Sequence, residues 1–302
     1  MFLETSRVKS RVFYQYKILV TLPEQISFDS ISYADLPPRQ IKNNVLRNIH
    51  SFIRDYNDFI EINISTKKVI VKKESVLNDD IICFKLAIQR ELSYTAKKSD
   101  FTNERLSDFP YSYVFFDVVG QTFYVEKNYK IFNKPSEMHK ILQELLRNLN
   151  AKTERYPDVD FVINLIVDKR EFIESFKSFD SVNKISLKLN SPNSFLGNQK
   201  ADDYLTELRN ETNAEQMTLE IGNDDVSIDA DGFLSHFKNL FEYAVNGGGE
   251  WTLRGKENGK PISRKSSARG KTLVLDVDLK NIPENIDRLV LLFSEANRYE
   301  EN

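Results

Sequence analysis

The chain has 302 residues, 40% hydrophobic and 29% charged, a balance that excludes a disordered chain and supplies apolar material for one large or two ordinary domains. The formal net charge is −3, yet residues 254–271, RGKENGKPISRKSSARGK, hold seven positive side chains and one negative, which leaves everything else at −9. No apolar run approaches the roughly 20 residues that span a bilayer, and the first twenty residues lack the continuous apolar stretch of a signal peptide, so a cytoplasmic protein without membrane contact is expected.

In chain order, 12–21 alternates with aromatic and β-branched residues and predicts a strand. Residues 37–56 place Ile41, Val45, Ile49, Phe52 and Ile53 at helical spacing behind a Pro-Pro pair that suits a helix start. Strands are predicted at 59–65 and 68–73, joined by a tight turn, and a longer one at 80–92. The polar stretch 93–108 has no clear period and reads as a loop or a short helix. Two strands follow within 111–132, around Gly120 and Gln121, and the aromatic cluster 109–116 reads as core.

Residues 135–150 form the clearest apolar helical stripe, with Ile141, Leu142, Leu145, Leu146 and Leu149, and Ser136 is placed to cap it. Strands at 160–168, 184–190, 215–222, 250–255 and 271–279 then alternate with helices at 169–179, 200–212, 231–245 and 284–299. This pattern predicts an α+β protein with two α/β sandwich units, a β-rich domain over 1–133 and an α/β domain over 134–302 carrying the basic hairpin. Tandem ferredoxin-like sandwiches are one topology that the element count allows. No internal repeat is found.

Chemistry-bearing signatures are few. The single cysteine, Cys83, lies in an alternating apolar segment and reads as a buried strand residue. His50, His139 and His236 fall in predicted helices without partners at metal-ligand spacing, so no metal and no cofactor are expected. Asp229, Asp231 and Gly232 match the middle of an EF-hand loop, but Ser227 and Lys238 stand at its first and twelfth positions, and Asp231 reads better as a helix N-cap. Walker A, nucleophile-elbow, HExxH and dinucleotide-binding patterns are absent.

Two segments carry functional readings. In the basic stretch, Asn258-Gly259 favours a type I′ hairpin, and six of the ten glycines lie between 247 and 270. Arg254, Lys256, Lys260, Arg264, Lys265, Arg269 and Lys271 are therefore candidate phosphate contacts, with glycine N–H groups and Ser263, Ser266 and Ser267 as neutral donors. A solvated hairpin is the plain alternative. Trp251, the one tryptophan, is expected in the core, with base stacking as the other reading. Asp276, Asp278 and Lys280 would share one strand face and could serve a metal-dependent nuclease. The spacing of Gly247, Gly249 and Gly255 resembles part of the glycine-rich loop of the repeat-associated RNA-binding superfamily that includes CRISPR precursor-processing enzymes. That resemblance would imply RNA binding on tandem ferredoxin-like domains. The fourth glycine position holds Glu257 and no histidine stands where that family has its general base, so membership is not assigned.

Abundant Lys, Asn, Ile, Phe and Tyr with scarce Gly and Pro fit AT-rich coding DNA of a low-GC bacterium, phage or mobile element. The expected function is a non-catalytic, nucleic-acid-contacting component of a bacterial multi-protein system, in antiviral defence or a mobile element. The alternatives are the Asp276/Asp278/Lys280 nuclease and a protein-binding scaffold or regulatory subunit.

Overall fold

The computed structural model describes residues 10–22, 36–64, 67–95, 103–191, 198–268 and 270–298. The fold is mixed α+β and rests on one large antiparallel sheet. Its strands are β1 (Arg11–Thr21), β2 (Ile60–Ile64), β3 (Lys67–Val76), β4 (Ile81–Ile88), β7 (Tyr111–Asp117), β8 (Thr122–Glu126), β9 (Asp160–Leu165) and β14 (Thr272–Leu275). The order is β14-β1-β8-β7-β4-β3-β2, and β1 also pairs with β9. Strand β1 is thus shared: Arg11–Tyr14 lies against β14 and Tyr16–Thr21 against β9. Strands from both sides of residue 133 meet in this sheet.

Alternation along β1 sends Tyr16, Ile18 and Val20 to one side and Phe13 and Leu19 to the other. The first side packs on α1 (Pro38–Asp55) and α2 (Pro135–Thr153), whose stripes of Ile41, Val45 and Ile49 and of Leu142, Leu145 and Leu149 are fully buried. The second side is covered by α6 (Ile286–Arg298) through Leu289 and Phe293, which meet Phe13, Cys83, Phe115 and Tyr124. Cys83 is buried, as its strand pattern implies.

A smaller antiparallel sheet has the order β11-β10-β12-β13, from β10 (Ser181–Asn190), β11 (Gln216–Gly222), β12 (Gly249–Glu257) and β13 (Lys260–Lys265). One face of it packs on α3 (Lys169–Lys177), α4 (Gln199–Thr212) and α5 (Ala230–Tyr243) around Phe172, Leu187, Phe241 and Trp251. Strands β10 and β11 are direct neighbours although α4 lies between them in sequence. A ferredoxin-like unit would place another strand between two strands joined that way, so this order gives the ferredoxin-like reading no support.

Several elements depart from the sequence reading. The predicted strand 80–92 breaks at Gln89, and the segment read as loop or short helix contains a hairpin of β5 (Arg90–Thr95) and β6 (Asn103–Asp108). Leu92 and Leu106 face each other across it and remain exposed, too little apolar alternation to register as strand in sequence. Within the aromatic cluster, Phe109 and Tyr111 are exposed while Tyr113, Phe115 and Phe116 are buried. Ser136 does not cap α2, because Lys134 holds the cap position and Pro135 is already the first helical residue. Asp229 caps α5, accepting from the Asp231 and Gly232 N–H groups, so Asp231 is displaced into the first turn.

His50 of α1 is buried with its ring edge against Phe116, 5.6 Å between centroids. Burial, reinforced by Arg54, pushes its pKa down to about 4. Since the folded value lies below the unfolded one near 6.5, the unfolded chain takes the proton first as pH falls. Stability present above about pH 6.5 is therefore lost toward pH 4, by about 3 kcal/mol from this group alone. Urea melts of wild type and His50→Gln at pH 7 and pH 4.5 should show a smaller acid loss in the variant; equal losses would contradict the assignment.

Candidate nucleic-acid interface

The basic stretch folds as the sequence reading has it, into a hairpin. Asn258 and Gly259 adopt φ of +51° and +71°, the left-handed pair of a type I′ turn, and nothing lies within 4 Å of where a Gly259 Cβ would be. Strands β12 and β13 pair in the register Thr252↔Lys265, Arg254↔Ser263 and Lys256↔Pro261 on one face, with Leu253↔Arg264 and Gly255↔Ile262 on the other. Paired residues share a face, and Leu253 belongs to the core, so Arg254, Lys256, Ser263 and Lys265 point away from the helices.

Strand β10 adds to that outer face what the sequence reading missed. Lys184 lies opposite Arg254, and Lys188 opposite Glu250. Five cations, Lys184, Lys188, Arg254, Lys256 and Lys265, thus share one side of a sheet whose carboxylates there are Glu220 and Glu250. Lys184 is bonded to Glu220 at 2.9 Å, while Lys188, Arg254, Lys256 and Lys265 are exposed. Residues two apart on a strand stand about 7 Å from each other and neighbouring strands about 5 Å, a two-dimensional grid of positive charge. The alternation in KISLKLN did carry the signal that Lys184 and Lys188 are off the core; their pairing with β12 did not follow from it.

The remaining candidates separate from this face. Arg264 points to the core side, where it bonds Glu257 at 2.6 Å and lies over the Phe179 ring, 5.4 Å to the centroid. Lys260 is exposed beside the turn, opposite Glu257. Lys271 lies past the hairpin, where its backbone N–H bonds the Ile166 carbonyl. Arg269 falls outside the described residues. Ser266 is buried, its hydroxyl oxygen accepting from the Trp251 backbone N–H at 3.1 Å, so it is not displayed to a phosphate on the outer face. Trp251 itself is 1% exposed and packs edge-on against Phe172, so it is a core residue and no stacking platform.

The glycines also serve packing. Gly247, Gly248 and Gly249 are buried, in and just after a π-helical turn, Ala244–Gly248, that ends α5. A Cβ on Gly255 would sit 2.0 Å from the Ser181 carbonyl oxygen, so this position lets β10 and β12 approach. The expectation that these backbone N–H groups are displayed to phosphate is corrected accordingly: Gly259 is the exposed glycine of the hairpin.

The outer face ends at a pocket of about 610 Å³. It is lined by Lys134 and Ser136 at the start of α2, Ser175 of α3, Trp251 of β12, Ser263, Arg264 and Lys265 of β13, and Ser267 and Ala268 of the short turn beyond.

The other proposed site takes a different form from the one expected. Strand β14 stops at Leu275, so Asp276, Asp278 and Lys280 lie beyond the sheet, on a segment whose Val277 and Leu279 are buried under α6. All three polar residues are exposed, and the Asp278 carboxylate accepts the Lys280 N–H at 3.0 Å, capping the turn Leu279–Asn285. Among the described residues no cluster of three or more His, Cys, Asp or Glu is arranged to hold a metal ion. No helix of the described residues is long and apolar enough to cross a membrane.

The family model described as "Domain of unknown function (DUF4747)" matches residues 83–276. The chain belongs to this family. The DUF4747 span includes the whole four-stranded sheet and the pocket at its end. No curated protein and no solved structure matches the chain.

Proposed function

We propose that this DUF4747 protein contacts nucleic acid through the outer face of its four-stranded sheet, without chemistry of its own, as a component of a cytoplasmic bacterial multi-protein system. The observation that carries the reading is the convergence of Lys184, Lys188, Arg254, Lys256 and Lys265 from three strands onto one open surface of an acidic chain. Ammonium and guanidinium groups on such a grid neutralise phosphates and read no bases, so affinity with weak sequence preference is expected. Among the described strand residues of this face none is aromatic, so its contacts are with phosphate and binding is expected to be strongly salt-dependent. A setting in antiviral defence or a mobile element rests on composition.

A protein partner is the second reading, favoured by the exposed Leu92 and Leu106 pair on the β5–β6 hairpin beside exposed Phe109 and Tyr111. The two readings separate through Lys184 and Lys188, which lie outside the basic stretch. A Lys184→Gln/Lys188→Gln variant is expected to weaken binding to a labelled single strand about tenfold and to flatten the slope of log K against log salt by about 1.4, read by anisotropy. An unchanged affinity and slope would move the interface off this face.

A further inference from the structure

The pocket at the end of the basic face has a composition that the face alone does not require. Lys134, Ser136, Ser263, Lys265 and Ser267 bring ammonium and hydroxyl groups to it, and among the described residues no carboxylate lines it. It opens at the first turn of α2, a 19-residue helix whose N-cap residue makes no side-chain capping bond. The positive end of that helix dipole is therefore directed at the pocket region. Glu137, the one acid of the first turn, is turned back onto the Asn133 N–H at 3.1 Å.

Independently of the helix, Trp251 contributes to the wall, and its indole N–H has no hydrogen-bond partner among the described residues although the side chain is 1% exposed. Buried donors are almost always satisfied, and an indole N–H can only donate. Every polar side chain of the wall can give a hydrogen bond or a positive charge. The indole N–H itself is closed off from solvent, so it reports on the wall, and the ammonium and hydroxyl groups of the wall are what suit an acceptor-rich anion.

We infer that this pocket receives a terminal phosphomonoester of a nucleic-acid strand lying on the basic face, an inference that rests on the proposed function. A phosphomonoester carries close to two charges at neutral pH, with a second pKa of about 6, and offers three acceptor oxygens, whereas an internal phosphodiester carries one charge. Ser263 and Lys265 belong both to the outer face and to the pocket wall, so a strand tracking the face arrives at the pocket without a break. The volume, about 610 Å³, suits an end nucleotide together with its phosphate.

Trp251 is the one tryptophan of the chain, so a ¹H–¹⁵N spectrum holds a single indole resonance that reports on the pocket. The probes are one short single strand carrying a 5′-phosphate, a 3′-phosphate or hydroxyls at both ends, a nucleoside monophosphate, and inorganic phosphate. One phosphorylated end is expected to move the indole resonance and to bind about tenfold tighter than the hydroxyl-ended strand, a preference that Lys134→Ala and, separately, Ser267→Ala reduce while hydroxyl-ended binding by anisotropy is unchanged. Equal affinities for all three strands with an unmoved indole resonance would overturn the inference; anisotropy binding that persists in that case leaves the face intact as an interface, and its loss removes both. A nucleoside monophosphate that moves the resonance while the strands bind alike would overturn the strand-end source and assign the pocket to a free nucleotide.

Discussion

Neutralising Lys184, Lys188, Arg254, Lys256 and Lys265 together to glutamine is expected to reduce single-strand affinity on the order of a hundredfold at low salt and to remove about 3.5 from the salt slope, at roughly 0.7 per phosphate contact. The effect is large because all five share one face, so a strand following it meets them in succession. Lys260→Gln/Lys271→Gln, which removes two charges of the same basic stretch but none from the face, should change affinity by less than about threefold at about 0.15 M salt, where a Debye length of about 8 Å screens charges off the face. Similar losses in the two variants would mean that bulk positive charge, and not the sheet, sets the binding. The variants are exposed substitutions and should melt as wild type does, apart from the Lys184–Glu220 pair, whose loss costs about 1 kcal/mol at most.

Trp251→Ala should be the most destabilising single change in the second core, at roughly 3–5 kcal/mol. The side chain is buried against Phe172, on a ring cluster that continues to Phe233 and Phe241, so its removal leaves a large cavity at the centre of that cluster. Gly255→Ala should act by the opposite route, overpacking, and cost about 1–3 kcal/mol as β10 and β12 are pushed apart. Chemical denaturation reads both. If Trp251→Ala left stability within 1 kcal/mol of wild type, the indole would not be the core anchor described.

The elements most legible in the sequence were those with one strong period. Strand β1, helix α1 and helix α2 follow from alternation or an apolar stripe, and the hairpin turn follows from Asn258-Gly259, because each is fixed by local chemistry. Strands β5 and β6 were missed since they pair with each other, and their leucines, Leu92 and Leu106, stay exposed, which leaves no apolar alternation to read. The shared strand β1, joining β14, β8 and β9, depends on contacts more than a hundred residues apart and has no local signature.

The candidate interface was half legible. Charge density located the hairpin, but density along the chain does not say which way each side chain points. Register decides that, sending Arg254, Lys256 and Lys265 outward, turning Arg264 onto Glu257 and Phe179, and bringing in Lys184 and Lys188 from a strand some seventy residues upstream. The glycine cluster misled for a similar reason: crowding against Ser181, Lys188 and Tyr243, visible only in three dimensions, accounts for Gly255, Gly249 and Gly248.

The most direct test of the central claim is anisotropy binding of the wild-type protein to short RNA, single-stranded DNA and duplex DNA across a salt series, with and without Mg²⁺, with the products run on a gel. Binding should weaken steeply with salt, tolerate sequence changes, need no Mg²⁺ and leave the strands intact. No binding at low salt would contradict it, and Mg²⁺-dependent cleavage lost in Asp276→Ala and Asp278→Ala would replace it with a nuclease.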